Sequence, residues 1–198
     1  MKKLITALGL LFIILMLLCE PSARAQGATN FEVGVHLSML RFQGSDYRSF
    51  FNKSIDPGVG ARATFNINSF MGVEGEIDFY PKDATRLGNR TLALFGGKLG
   101  ISTRNFGIYA KIRPGILRFS DSTLPGPLLP GACAGVNANS FVVDYGGIFE
   151  IYPVWRTVIR LDAGDVTGKT KFRCPLPPPA VEVRTHNLQF NIGVGFRF

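Results

Sequence analysis

Residues 187–198, Asn-Leu-Gln-Phe-Asn-Ile-Gly-Val-Gly-Phe-Arg-Phe, decide the fold of this chain. Every second residue is large and apolar, from Leu188 to the terminal Phe198, and the residues between them are polar, charged or glycine. Because side chains alternate across a β-strand, the segment predicts a strand with one apolar face and one polar face. A strand of roughly 9–11 residues is long enough to cross a bilayer when it is tilted.

The same alternation occurs seven more times upstream. Short connections predicted at 69–70, 103–105 and 154–156 alternate along the chain with long ones. This order is typical of a membrane barrel, which has short periplasmic turns and longer external loops. The sequence therefore predicts an all-β, eight-stranded, antiparallel up-and-down transmembrane barrel. The seven upstream runs begin near Phe31, Val59, Met71, Ala93, Phe106, Phe141 and Thr157, and the predicted long loops are 43–56, 81–90, 120–140 and 165–184.

Charged residues on the polar face favour a membrane barrel over a soluble barrel with an apolar interior. Acidic and basic residues occur mid-strand in near balance, and a face exposed to water does not need such balance. A narrow closed lumen does need it, because an unpaired buried charge costs several kcal/mol. Two interpretations stay open, a paired network that rigidifies the lumen and a gate for small ions. The predicted lumenal network is Glu32, Arg62, Glu74, Glu76, Lys98, Lys111, Arg113, Asp144, Glu150, Arg160, Asp162 and Arg197.

The first 25 residues have the layout of a secretory signal peptide. Lys2 and Lys3 precede an apolar stretch over 4–18, and Ala23-Arg24-Ala25 provides an A-x-A cleavage site. The sequence thus predicts a cleaved signal over 1–25 and a barrel domain over 26–198. After residue 25 no apolar run is long enough for a spanning helix, so strands are the expected way into a membrane.

The net charge of +8 does not indicate nucleic-acid binding, because the sequence has no basic run and no recognition motif. Cationic residues in the predicted loops instead favour contact with lipopolysaccharide phosphates, with plain loop solubility as the alternative. Those residues are Lys82, Arg86, Arg90, Lys169, Lys171, Arg173 and Arg184.

Few residues suggest covalent or metal chemistry. Cys133 and Cys174 lie in the last two predicted loops and predict a disulfide in an oxidising compartment. Two cysteines without a histidine near them in sequence predict no metal site. His36 and Ser38 share one strand face, and such a pair could serve an enzyme that modifies lipid A if it faced the lipid. That face is instead predicted to point into the lumen, with His36 hydrogen-bonded to a Glu or Ser. His186 is predicted near the outer rim, on the side that faces lipid.

Two resemblances point to a family. The last strand, ending at Phe198, resembles the signature by which the insertion machinery recognises bacterial outer-membrane proteins. The mature chain as a whole resembles OmpA/OmpX-type and opacity-type small barrels, most densely from Gly97-Lys98 through Tyr109-Ala110-Lys111 to Arg118-Phe119. The resemblance implies a location in the bacterial outer membrane and transfers no catalytic residue.

The sequence accordingly predicts a non-enzymatic surface protein without a cofactor. It would support the envelope or bind an external partner through its loops. The alternatives are a narrow channel gated by lumenal charge pairs and a barrel enzyme that modifies lipid A.

Overall fold

A computed structural model describes residues 30–44, 55–81, 89–124, 133–154, 156–172 and 181–198. Each strand pairs antiparallel with the next, and the last pairs with the first, so the sheet closes into an eight-stranded barrel. This confirms the predicted fold. No helix in the described ranges is long and apolar enough to cross a bilayer. The strands are β1 (Phe31–Gly44), β2 (Ile55–Asn66), β3 (Met71–Tyr80), β4 (Arg90–Ser102), β5 (Phe106–Leu124), β6 (Cys133–Val154), β7 (Thr157–Phe172) and β8 (Val181–Arg197).

The outward face of the barrel is apolar. The predicted outward residues of all eight runs are exposed or half-buried, and Phe95 and Phe141 are 65% and 66% exposed. An apolar surface that runs around the whole barrel is stable in lipid and unfavourable in water. Because the inward face carries the buried charged groups, the two faces have the arrangement of a membrane barrel.

Side chains of the short connections account for where the strands end. In the β2–β3 turn, Asn68 Oδ1 accepts hydrogen bonds from the backbone N–H groups of Phe70 (3.1 Å) and Met71 (2.8 Å). In the β4–β5 turn, Thr103 Oγ1 accepts one from the N–H of Phe106 at 3.2 Å. Asn and Thr take these positions because their short polar side chains replace backbone partners in a turn. The turns thus fix the register of the strands that they join.

Phenylalanine rings lie close together at the end of the barrel that carries the short turns. The N–H of Phe198 donates to the carbonyl of Phe31 at 2.9 Å, so the last residue is held against the start of β1. The Phe198 ring lies 5.2 Å from that of Phe196 and 6.3 Å from that of Phe31. Aromatic residues are enriched where a barrel meets the membrane interface, so these rings mark the periplasmic boundary.

The predicted lengths of the long loops were wrong. Much of 120–140 and 165–184 is strand, because β5 continues to Leu124, β6 starts at Cys133, β7 continues to Phe172 and β8 starts at Val181. The prediction ended each strand where the apolar alternation stopped. Backbone pairing continues past that point, for example between Lys169 and Arg184, because hydrogen bonds between hairpin arms do not require lipid on one side.

Candidate functional site

The interior of the barrel is the candidate site, and it is filled by side chains. All twelve residues of the predicted lumenal network are buried on the inward face. Three further charged residues, Asp56, Asp78 and Arg90, are also buried there. Arg90 was predicted to be an external-loop cation, and that was wrong. It is the first residue of β4, and its Nη1 donates to Asp56 Oδ2 at 2.7 Å.

Arg113 on β5 is the centre of the ion-pair network. Its Nε donates to Asp144 Oδ2 at 2.7 Å, and its Nη1 donates to Glu74 Oε1 at 2.9 Å and Glu76 Oε2 at 2.8 Å. A fourth carboxylate, that of Asp162, lies 3.5 Å from its Nη2. A guanidinium group presents five N–H donors in a fixed planar arrangement. One arginine can therefore contact four carboxylates that come from three different strands. The centre of the lumen is therefore cross-linked between β3, β5, β6 and β7.

Arg160 on β7 reaches across the barrel to Glu74, which Arg113 also binds. Its Nη1 and Nη2 donate to the two oxygens of Glu74 at 2.8 Å each, a bidentate pair between strands that are not neighbours. Its Nη2 also donates to Asp162 Oδ2 at 2.9 Å. Lys111 completes this level with ion pairs to Asp144, at 2.7 Å, and to Asp162. These salt bridges cross the diameter of the barrel at this level of the lumen.

The remaining network residues lie nearer the periplasmic turns. Lys98 Nζ donates to Glu150 Oε1 at 2.7 Å, and Tyr152 Oη donates to Glu150 Oε2 at 2.8 Å. Arg197 joins Glu150 to Glu32, with 3.2 Å to each. Arg62 is bound to Glu32 on the other side, also at 3.2 Å. We call all twelve network residues together the charged half of the lumen.

Toward the external ends of the strands, apolar side chains fill the lumen together with the Asp56–Arg90 pair. The apolar residues are nearly inaccessible, with Leu92 and Tyr80 at 0% exposure and Leu117 at 1%. The alternation in the sequence did not predict that these side chains fill the lumen. We call this set the apolar half of the lumen, and it comprises Leu40, Tyr80, Leu92, Leu94, Leu117, Phe119, Val142 and Val166.

His36 and Ser38 point into the lumen, as predicted, and do not reach the lipid face. The predicted partner of His36 was wrong. Among the described residues the hydrogen-bond partner of the ring is an aspartate, with Nε2 2.6 Å from Asp78 Oδ1. Ser38 Oγ donates to Asn191 Oδ1 at 2.6 Å and is 2.7 Å from Tyr80 Oη. The reason is the strand register, because His36 and Asp78 both face Gly60 of β2 and meet across it.

His186 faces outward near the external end of β8, as predicted. Its Nδ1 is 3.1 Å from Asp165 Oδ2, and the same carboxylate oxygen accepts a bond from Tyr145 Oη at 3.0 Å. The His186 side chain is 51% exposed. This cluster connects β6, β7 and β8 on the outside of the barrel.

Two predictions lie outside the described residues. The signal peptide over 1–25 is one, and the Cys133–Cys174 disulfide is the other, since 173–180 is not described. Among the predicted external cations, Lys169 is described and exposed.

Comparison with known proteins gives the family. Residues 10–198 match the family model described as outer membrane protein beta-barrel domain. The chain belongs to this family. A search of the curated proteins found no match.

Solved structures agree on the fold. OprG of Pseudomonas aeruginosa is 14% identical with a TM-score of 0.58, covering 88% of this chain and 98% of its own. The N-terminal barrel domain of OprF from the same organism is 10% identical with a TM-score of 0.56, covering 84% and 97%. Ail, the attachment invasion locus protein of Yersinia pestis, is 11% identical with a TM-score of 0.53, covering 85% and 97%.

Family membership and the two faces of the sheet place this barrel in the bacterial outer membrane. The external ends of β1 to β8 then lie at the cell surface, and the turns at residues 67–70 and 103–105 lie in the periplasm. At these identities the neighbours show the fold alone, because small barrels serve unrelated activities.

Proposed function

We propose that this chain is a non-enzymatic surface protein in which a sealed barrel anchors the segments at the external ends of its strands. The single observation that carries the proposal is the filled lumen. Arg113 and Arg160 bridge it across its diameter, and the apolar half closes it toward the outside. A lumen that is filled in this way offers neither a path for solutes nor a cleft for a substrate. The segments at the external ends of the strands are therefore the part of the chain that we expect to carry the function.

The inward direction of His36 and Ser38 supports the non-enzymatic part of the proposal. A barrel enzyme acting on lipid A has to present its catalytic groups to lipid. Here the Ser38 hydroxyl is engaged by Asn191 and Tyr80, and the His36 ring is engaged by Asp78. Mass spectrometry of lipid A from cells with and without the protein tests this point, and a modified lipid in expressing cells would contradict it.

The experiment that tests the sealed anchor is complementation of a deletion strain. One strain receives the full chain, and a matched strain receives a chain in which residues 125–132 and 173–180 are replaced by short Gly-Ser linkers. If both restore resistance to detergent and bile salts, the barrel itself supports the envelope. If only the full chain restores it or restores binding of cells to a surface, the external segments carry the function. If neither restores it although both insert, the proposal fails.

A narrow channel is the second candidate, and one observation favours it. Arg113 lies within 4 Å of four carboxylates, so a small rotation exchanges its partners without leaving it unpaired. Conductance of the purified protein in planar bilayers separates the two candidates. We expect no steady conductance, and Lys98→Ala, which breaks the pair with Glu150, should leave the trace unchanged. Steady openings that Lys98→Ala alters would support the channel instead.

The cations at the external rim suggest lipopolysaccharide as the surrounding lipid partner. Lys169 is exposed on the outward face, and the backbone of Lys169 pairs with that of Arg184. An exposed ammonium group at this level suits the phosphates of lipid A. Co-purification of lipopolysaccharide with the parent, and its loss from a Lys169→Glu/Arg184→Glu variant, would support this contact.

A further inference from the structure

Three potential metal ligands converge inside the barrel at the boundary between the charged and apolar halves. They are His36 of β1 and Glu76 and Asp78 of β3, and their ligand atoms all lie within 4.8 Å of one another. His36 Nε2 is 2.6 Å from Asp78 Oδ1 and 4.0 Å from Glu76 Oε1. All three side chains are at most 1% exposed. One imidazole nitrogen and two carboxylates are a donor set that borderline divalent ions such as Zn²⁺ accept.

The strand register creates this cluster. Gly60 of β2 pairs with His36 on one side and with Asp78 on the other. A Cβ at Gly60 would collide with both the His36 ring and the Asp78 carboxylate. Because Gly60 has no side chain, the imidazole and the carboxylate meet in the space above it. No sequence spacing shows this, since the residues are 42 positions apart.

The charges of the lumen identify this cluster as the place that lacks a permanent cation. Among the described residues the lumen buries eight carboxylates but seven Arg and Lys side chains. Every other buried carboxylate has an Arg or Lys within ion-pair distance, whereas Asp78 has His36 as its ion-pair partner in the described part of the chain. A buried carboxylate without a counter-charge is strongly unfavourable, so a proton on one of these groups or a bound cation has to balance it. The carboxylates are Glu32, Asp56, Glu74, Glu76, Asp78, Asp144, Glu150 and Asp162, and the cations are Arg62, Arg90, Lys98, Lys111, Arg113, Arg160 and Arg197.

A fourth side chain borders the cluster. Gln189 of β8 is 2% exposed, and its Nε2 donates to Asp78 Oδ2 at 2.9 Å. Its Oε1 is buried and has no hydrogen-bond partner among the described residues. A buried amide oxygen without a partner costs about 1–3 kcal/mol. A proton at the cluster leaves this oxygen without a partner, whereas a bound ion or its water within reach of the oxygen would supply one.

We propose that His36 Nε2 and the carboxylates of Glu76 and Asp78 form a site for one divalent transition-metal ion of the Zn²⁺ class. Two ligands about 2.0–2.1 Å from a tetrahedral ion lie roughly 3.3 Å apart. The observed separations of 2.6 and 4.0 Å bracket that value, so a displacement of the imidazole between the two acids reaches it. Because a metal ion binds the unprotonated imidazole nitrogen, Nε2 carries no proton when the ion is bound. The inference does not depend on what the external segments bind.

The test uses the chain extracted from outer membranes in detergent, with Cys133→Ser and Cys174→Ser in every variant to remove thiol ligands. After dialysis against a chelator, Zn²⁺ is added to the folded barrel and, because the cluster is buried, also during refolding from urea. Bound metal is counted by mass spectrometry, and affinity is measured by competition with a chromophoric chelator. We expect one Zn²⁺ per chain.

Two variants assign the ion to the cluster. Asp78→Asn keeps the shape of the side chain and should weaken Zn²⁺ by at least about tenfold, the loss that removing even an outer-shell partner causes. His186→Ala removes the second of the two histidines in the chain and should bind like its parent. Each variant is first shown to be folded by the mobility difference between unheated and boiled samples.

Three results would overturn the proposal. The parent could bind no stoichiometric Zn²⁺ by either route, which would leave the proton as the partner of Asp78. Asp78→Asn could bind as tightly as the parent. Binding could be lost in His186→Ala, which would assign the ion to the exposed Asp165 cluster on the outer surface. If Asp78→Asn fails to fold, the stoichiometry of the parent and of His186→Ala still decides the question.

Discussion

From the periplasmic turns to the middle of the barrel the lumen is filled mainly by ion pairs, whereas toward the cell surface leucine, tyrosine and phenylalanine side chains fill it together with the Asp56–Arg90 pair. Arg160, which bridges to Glu74, and Leu117 are equally inaccessible, at 1% exposure each. The two halves therefore exclude water to the same degree by opposite means. Their responses to substitution should differ. Removing one partner of a buried ion pair lowers the free energy of unfolding because the other charge is left unpaired, whereas truncating an apolar side chain lowers it in proportion to the volume removed.

The largest effect is expected in the charged half. Arg113→Met should lower the free energy of unfolding by about 3–5 kcal/mol, because four carboxylates lose a shared cation without gaining water. Urea titration of the barrel in detergent micelles, followed by the unheated gel band, measures this. Arg118→Met on the same strand is the matched control, since Arg118 is exposed on the outward face. Equal stability of the two variants would contradict the network.

In the apolar half, Leu117→Ala should cost roughly 3 kcal/mol, within the usual range for a buried leucine. The side chain is enclosed by the barrel, and its backbone pairs with that of Leu92, so the cavity cannot be refilled from the lipid. The neighbouring Ile116 faces outward and is 54% exposed, and Ile116→Ala should cost clearly less because lipid chains occupy the space. The same urea titration compares them. A larger loss for Ile116→Ala would invert the assignment of the two faces.

The sequence predicted the faces better than it predicted the contents of the lumen. Strict alternation assigned each side of β1 to β8, because lipid and lumen impose opposite demands on successive residues. Alternation does not distinguish the two faces where both are apolar, as in Leu92-Ala93-Leu94-Phe95, so the sequence did not predict the apolar half. The sequence also did not predict which lumenal side chains pair with each other, because the pairs depend on strand register. The His36–Asp78 pair is the clearest case, since it needs β1, β2 and β3 aligned at Gly60.

The boundary between the two halves can be tested at Gly60. Gly60→Ala should destabilise the barrel by about 1–3 kcal/mol, since the added Cβ meets the His36 ring and the Asp78 carboxylate. The matched control is Gly75→Ala on β3, where the nearest atoms to an added Cβ are ordinary contacts at 3.8 and 4.0 Å. Urea titration of both variants measures the difference. If Gly60→Ala were as stable as Gly75→Ala, the close approach of His36 and Asp78 over Gly60 would be wrong.

The smallest effect is expected at the second histidine–aspartate pair of the molecule. His36 and Asp78 are buried 2.6 Å apart, whereas His186 and Asp165 are 3.1 Å apart with side chains 51% and 22% exposed. Water and headgroups solvate the outer pair, so His186→Ala should change the free energy of unfolding by less than about 0.5 kcal/mol. His36→Ala should cost several times more, because it leaves the buried Asp78 carboxylate without its 2.6 Å partner. The two variants remove the same side chain from the same kind of pair, so the difference between them in one urea titration isolates burial. If the two losses were equal, the lumen at His36 would be wet, and the filled interior on which the sealed anchor rests would have to be abandoned.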